Sequence, residues 1–150
     1  MKEITIYTDG GCHGNPGPGG WAIVVIADGV AKQLSGGEKM TTNNRMELKA
    51  IIAALHHIPA TNASVLVRSD SQYALYTLNK SWSRKTNTDL FPIHDKIVAE
   101  KNLDVTYEWV KGHSGNKFNE ICDQLCSEAA GVDLNAEYEF YKQLKKNKKQ

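Results

Sequence analysis

The chain has 150 residues, 41% hydrophobic and 23% charged, with a formal net charge of +1. That length and apolar content suit one domain with a buried core and exclude a disordered chain, while the near-neutral balance excludes nucleic-acid binding read from net charge alone. No apolar run is long enough to span a membrane, and three cysteines (Cys12, Cys122, Cys126) without CxxC spacing signal neither a disulfide framework nor a zinc site.

Met1-Lys2-Glu3 leads directly into a β-branched run, Ile4 to Asp9, so no signal peptide is read and a cytoplasmic location is expected. Alternation makes this run a strand, ended or bulged by Gly10-Gly11. The segment from Gly10 to Gly20 is read as a loop too rich in glycine and proline for regular structure. Without a following Gly-Lys-Ser/Thr and helix, it is not a phosphate-cradling P-loop. Trp21 to Ile26 reads as a second strand, Asp28-Gly29 as a hairpin, and Val30 to Ser35 as a third strand pairing back antiparallel. Thr41-Thr42-Asn43-Asn44 offers capping residues to a long helix whose stripe is Leu48, Ile51, Ile52, Leu55 and Ile58, ending before Pro59. Val65 to Asp70 reads as a central strand covered on both faces.

Helices are expected over Ser71 to Leu78 and from about Asp89 to Lys101, where Pro92 is tolerated in the first turn. Asp104 to Trp109 is the fifth strand. Lys117 to Ala130 is expected to be a helix with Ile121, Cys122, Leu125 and Ala129 inward and Gly131 as its cap. The order predicts an α/β domain with a five-stranded mixed sheet, a three-strand antiparallel meander plus two parallel strands, flanked by helices.

Four carboxylates stand out on this frame. Asp9 ends the first strand and is either a turn-former or a ligand on a rigid platform. Glu47 falls at the edge of its helix stripe, where it either reaches over the sheet or complements the helix dipole. Asp70 closes the fourth strand, and periodicity alone turns Asp123 toward solvent. Two carboxylates about 4 Å apart repel by roughly 4 kcal/mol at an effective dielectric near 20, so a converging set must protonate or hold metal. Oxygen-only ligands favour Mg²⁺ or Mn²⁺ over zinc. His113, in the Lys111 to Asn116 loop, is a loop histidine with no task that spacing assigns. His13, His56, His57 and His94 read as structural or surface. Lys80, Arg84 and Lys85 gather around Trp82, and Lys142 to Lys149 form a basic tail.

Several blocks resemble type 1 ribonuclease H: Tyr7-Thr8-Asp9-Gly10-Gly11, Gly14-Asn15-Pro16-Gly17, Thr42-Asn43-Asn44-Arg45-Met46-Glu47-Leu48, Ser69-Asp70-Ser71-Gln72-Tyr73, Trp109-Val110-Lys111-Gly112-His113 and Asn119-Glu120-Ile121-Cys122-Asp123. They occur in the family's order up to about Ala130. The resemblance implies an RNase H-like fold, a catalytic domain over 1–131, and two Mg²⁺ ions on Asp9, Glu47, Asp70 and Asp123, with Mn²⁺ able to substitute. It implies that His113 assists proton transfer or product release. The implied activity is hydrolysis of the RNA strand of an RNA/DNA hybrid, giving 5′-phosphate and 3′-hydroxyl ends.

Selection for RNA has to read the 2′-hydroxyl. By resemblance, Cys12, Asn15, Asn43, Asn44 and Gln72 line the minor groove for this, together with Glu47, although Asn43 and Asn44 also suit helix capping. Thr42 and Asn87 match positions that hold a DNA phosphate, Met40 stands where some members have arginine, and Trp82 is the candidate for stacking along the DNA strand. The lysine-rich helix that many relatives carry after the Asp70 helix does not fit between Leu78 and Thr88, which predicts weaker hybrid binding. Residues 132–150 lie beyond the resemblance. Leu134, Tyr138, Tyr141 and Leu144 make a helical face, and a solvated, frayed terminus is the competing reading. A monomer without an obligate protein partner is expected. A catalytically silent hybrid-binding module and an integrase-like nuclease are the alternatives, disfavoured by the intact acidic set and by chain length.

Overall fold

Alternating β-branched residues at Ile4, Ile6 and Thr8 start β1 (Lys2–Cys12), which occupies the middle of a five-stranded sheet ordered β3-β2-β1-β4-β5 in a computed structural model. The structure describes residues 2–59, 61–111 and 128–129. The expected helix over 117–130 and the tail over 132–150 lie outside them, apart from Glu128 and Ala129. β2 (Gly17–Ala27) and β3 (Val30–Thr41) complete an antiparallel meander with β1. The turn between them uses left-handed Asp28 and Gly29, at φ 54° and 74°. β4 (Ala63–Ser69) and β5 (Asp104–Trp109) add parallel to the other side of β1. This is the mixed α/β architecture expected.

Two boundaries differ from expectation. The Gly-Pro-rich segment is largely strand: Gly10, Gly11 and Cys12 pair with Trp21, Gly20 and Gly19, so only the stretch between Cys12 and Gly17 turns. β3 likewise runs past Gly36-Gly37 to Thr41, because those glycines keep ladder partners in Trp21 and Gly20. The Trp21 ring fills the space a side chain at Gly36 would need, 2.6 Å from that Cβ position. β4 is central, as expected, but alternates: Ala63, Val65, Val67 and Ser69 are buried while Ser64, Leu66 and Arg68 are half-buried.

Helix α1 (Asn43–His56) is capped by Thr42, whose Oγ1 accepts from Arg45 N at 3.3 Å. Asn43 and Asn44 are therefore its first helical residues and not its cap. A helix of this length is marginal alone. Burial of Leu48, Ile51 and Leu55 against Ile4, Ile6, Ile23, Val65 and Val67 supplies the difference, at roughly 1.5–3 kcal/mol for each large side chain. Two shorter helices join the same cluster, α2 (Gln72–Leu78) through Leu75 and Leu78, and α3 (Phe91–Glu100) through Phe91. α3 starts two residues later than expected, with Pro92 in its first turn. No lysine-rich helix intervenes between α2 and α3. Among the described residues, no helix is long and apolar enough to cross a membrane.

Candidate active site

The C-terminal ends of β1 and β4 lie side by side. Their parallel register pairs Tyr7 with Arg68, and the same offset carried two residues on brings Asp9 level with Asp70. α1 crosses the end of β1 at Gly10. A Cβ there would stand 2.4 Å from the Met46 carbonyl carbon and 2.5 Å from Glu47 N, so only glycine admits the helix this close. The approach delivers Glu47. One ligand oxygen from each of Asp9, Glu47 and Asp70 lies within 4.8 Å of the others.

Backbone and neighbours hold the cluster. Gly10 N donates to Asp9 Oδ1 at 2.9 Å and to Glu47 Oε1 at 3.0 Å, tying the two carboxylates to one amide. Ser69 Oγ lies 3.5 Å from Glu47 Oε2 and accepts from Ser71 N at 3.0 Å. The turn carrying Asp70 is pinned by β5, since Trp109 Nε1 donates to Asp70 O at 3.1 Å and Val110 N donates to Ser69 O at 2.9 Å. Glu47 is the fifth helical residue and 7% exposed, beyond the first turn that a dipole-complementing role requires. Burial, then the Asp9 and Asp70 charges, hold its carboxyl well above the ordinary range. Each pair at this separation repels by roughly 3–4 kcal/mol at an effective dielectric near 20, so the trio must bind protons or cations. Oxygen donors alone suit a hard divalent ion, which makes Asp9, Glu47 and Asp70 a fitting cradle for Mg²⁺ or Mn²⁺. Asp123 and His113 lie outside the described residues.

The residues expected to contact substrate fall into two groups. Cys12, Asn15 and Asn43 interlock: Cys12 N donates to Asn43 Oδ1 at 2.8 Å and Asn43 N donates to Asn15 Oδ1 at 3.0 Å. Both amide oxygens are thereby engaged, which orients the NH₂ ends as donors. The Cys12 thiol donates to Gly14 O at 3.2 Å. Asn44 and Gln72 are exposed at the first turns of α1 and α2. In the second group, Asn87 lies in the connection before α3 and accepts from Arg45 Nη1 at 3.2 Å, while Thr42 caps the helix that carries Arg45. Trp82 is 47% exposed and packs at 5.2 Å on Tyr76. Arg84 does not belong to an outward basic patch. It donates to Thr77 O at 2.9 Å and Leu78 O at 3.2 Å, forks onto Asp95, and stacks 4.7 Å over Phe91. Lys80, Trp82 and Lys85 remain exposed.

Sequence reasoning missed Gly10 as the contact point for α1, and it missed the structural employment of Arg45 and Arg84. The spacing Asp9-Gly10 was legible, but a close approach leaves no periodic signal. Of the other histidines, His94 is buried between Asp95 and Tyr107, while His13, His56 and His57 are exposed.

Comparison with known proteins agrees with this geometry. A family model described as RNase H matches residues 1–131. The chain is 42% identical to Ribonuclease H of Syntrophus aciditrophicus, over 91% of this chain and 86% of that protein. It is 43% identical to Ribonuclease HI of Synechocystis, over 83% and 85% respectively. Among solved structures, LC11-RNase H1 in complex with RNA/DNA hybrid superposes with a TM-score of 0.74 at 28% identity, covering 85% of this chain and 96% of that one. The N-terminal RNase H domain of a Mycobacterium tuberculosis protein gives 0.76 at 25% identity, over 87% of this chain and 94% of that domain.

Proposed function

The chain belongs to the type 1 ribonuclease H family of endoribonucleases, and from that premise we propose that it hydrolyses the RNA strand of RNA/DNA hybrids at a two-metal site, leaving 5′-phosphate and 3′-hydroxyl ends. The observation that carries this reading is the trio of carboxylates within 4.8 Å at the end of β1 and β4. Asp9, Glu47 and Asp70, with Asp123 as the fourth ligand by family resemblance, would hold Mg²⁺, with Mn²⁺ able to substitute. When bound, such a pair supplies an activated water and neutralises charge at the departing 3′ oxygen.

The chain's own residues do the rest. The Gly10 amide fixes the spacing of Asp9 and Glu47, so the carboxylates that would hold the cations are already in place before substrate arrives. His113 moves a proton or assists product release. Asn43 and Asn15, locked through their carbonyl oxygens, present amide donors toward the RNA 2′-hydroxyl, with Cys12, Asn44, Gln72 and Glu47 around it. Thr42 and Asn87 hold a DNA phosphate, and Trp82 offers a stacking face beside the DNA strand. Residues 1–131 form the catalytic unit and 132–150 a basic tail, in a cytoplasmic monomer.

The test is cleavage of an end-labelled RNA/DNA hybrid beside matched RNA/RNA and DNA/DNA duplexes in Mg²⁺. Cutting confined to the RNA of the hybrid, with products that polynucleotide kinase cannot label at the 5′ end until phosphatase is added, is the expected result. Hybrid binding without cutting would point to the silent module instead, and equal cutting of RNA/RNA would remove the selectivity assigned to the amide group.

A further inference from the structure

Arg45 takes no part in the carboxylate cluster or in the proposed RNA contacts, yet it is among the most heavily bonded side chains near the α1 N-terminus. Its backbone N–H donates to Thr42 Oγ1 at 3.3 Å. Nη1 donates to Asn87 Oδ1 at 3.2 Å and to Asp89 Oδ1 at 2.9 Å, and Nη2 donates to Asp89 Oδ2 at 2.9 Å. The planar guanidinium suits this fork, and a lysine ammonium does not. Arg45 in turn holds the Asp89 carboxyl down at about 2. Its charge is therefore spent on Asp89 within the protein.

Asn87 is held through both its main chain and its side chain. Its backbone is left-handed at φ 55°, which asparagine tolerates, and its carbonyl oxygen accepts from Leu90 N at 3.0 Å, closing the turn that leads into α3. Both ends of its side chain are held: Oδ1 by Arg45, and Nδ2 by donation to Tyr73 Oη at 2.9 Å, itself 3.0 Å from Thr86 Oγ1. Among the described residues, the Arg45 bond alone connects the Asn87 amide to the helix that Thr42 caps.

We propose that Arg45 is a positioning residue for the DNA strand: its forked side chain fixes the Asn87 amide on the flank of α1 that carries the Thr42 hydroxyl, so that both groups meet one DNA phosphate. This rests on the reading of Thr42 and Asn87 as DNA contacts. Arg45 acts through Asn87 and does not itself bind the phosphate. A neutral fork deletion, Arg45→Met with Asp89→Asn, removes the clamp without leaving a lone charge and keeps the apolar stem.

Steady-state kinetics on an RNA/DNA hybrid in Mg²⁺ should show KM raised about tenfold and kcat within about twofold, the size expected for one well-placed hydrogen bond lost. In an Asn87→Ala background the same deletion should change KM by less than about twofold, because its target is already gone. The full tenfold loss persisting in that background, a fall in kcat with KM unchanged, or no change in either constant would each overturn the proposal. If the double variant melts below the assay temperature, Arg45→Lys, which keeps charge and loses the fork, should still raise KM several-fold. Equality with the unaltered protein would count against the clamp. Failure of the unaltered protein to cut the hybrid would remove the proposed function and this inference together. An active protein indifferent to the deletion would remove the inference alone.

Discussion

Replacing Gly10 by alanine changes one hydrogen into a methyl at the point where α1 rides over β1. The new carbon would lie 2.4 Å from Met46 C, against an ordinary contact of 3.4 Å or more, so helix and strand must separate by about 1 Å. Met46 and Leu48 are fully buried beside the contact, which leaves the helix little room to give. Overpacking of this kind costs roughly 1–3 kcal/mol, or about 2–12 °C in melting temperature for a chain of this size. The same displacement moves Glu47 relative to Asp9 and Asp70, and a 1 Å misplacement of reacting groups costs about 10²-fold in rate. Thermal melting followed by circular dichroism and kcat on a labelled hybrid measure the two effects separately. Gly10→Ala with native kcat and native melting temperature would refute the close approach. A destabilised variant with native kcat would show that the approach does not set the position of Glu47.

In EDTA, Asp70→Asn should melt no lower than the unaltered protein, since it relieves repulsion in the trio, while losing cleavage in Mg²⁺. Marked unfolding would favour a structural role for the carboxylates. Glu47 binds its proton more tightly folded than unfolded, so the folded chain carries the extra proton above the ordinary value of 4.5, and metal-free stability falls as pH rises through the window that begins there. Denaturant midpoints in EDTA from pH 4.5 to 8 should show that decline, and Glu47→Gln should flatten it and be the more stable protein at pH 7. Arg84→Ala should cost about 1–3 kcal/mol in urea unfolding at pH 7, with the lower half of that range expected because the Asp95 side chain is 40% exposed. A loss below about 0.5 kcal/mol would contradict its role at the end of α2. The part of that stability due to Asp95, whose carboxyl is held down at about 2 chiefly by the Arg84 hydrogen bond, is present above 3.8 and is lost as pH falls toward 2.

The sheet was legible because its strands are written in alternating β-branched residues, and the meander because Asp28-Gly29 is strong hairpin chemistry. The extension of β1, β2 and β3 through Gly10-Gly11, Gly19-Gly20 and Gly36-Gly37 was not, since propensity reads glycine as a breaker and ladder partners far along the chain override it. The helix wheel set Glu47 at the edge of its stripe. What buries it is the missing side chain at Gly10, a long-range fact that no window around Glu47 contains. Arg84 looked like part of a basic patch because its partner, Asp95, lies eleven residues on and across a turn. That Asp9 and Asp70 meet was legible from the expected mixed sheet, whose parallel strands put them on neighbouring strands, but the offset that brings them level is set by the strand register and no local window contains it.

The Gly10 amide reports on the site directly, because it donates to both Asp9 and Glu47. Titration of the ¹⁵N-labelled protein with Mg²⁺, followed by amide shifts, should move the Gly10 resonance along a saturable curve, and Asp70→Asn should weaken or abolish that curve. A Gly10 resonance unmoved by Mg²⁺, or one that saturates identically in the Asp70→Asn protein, would contradict a cation held among these carboxylates.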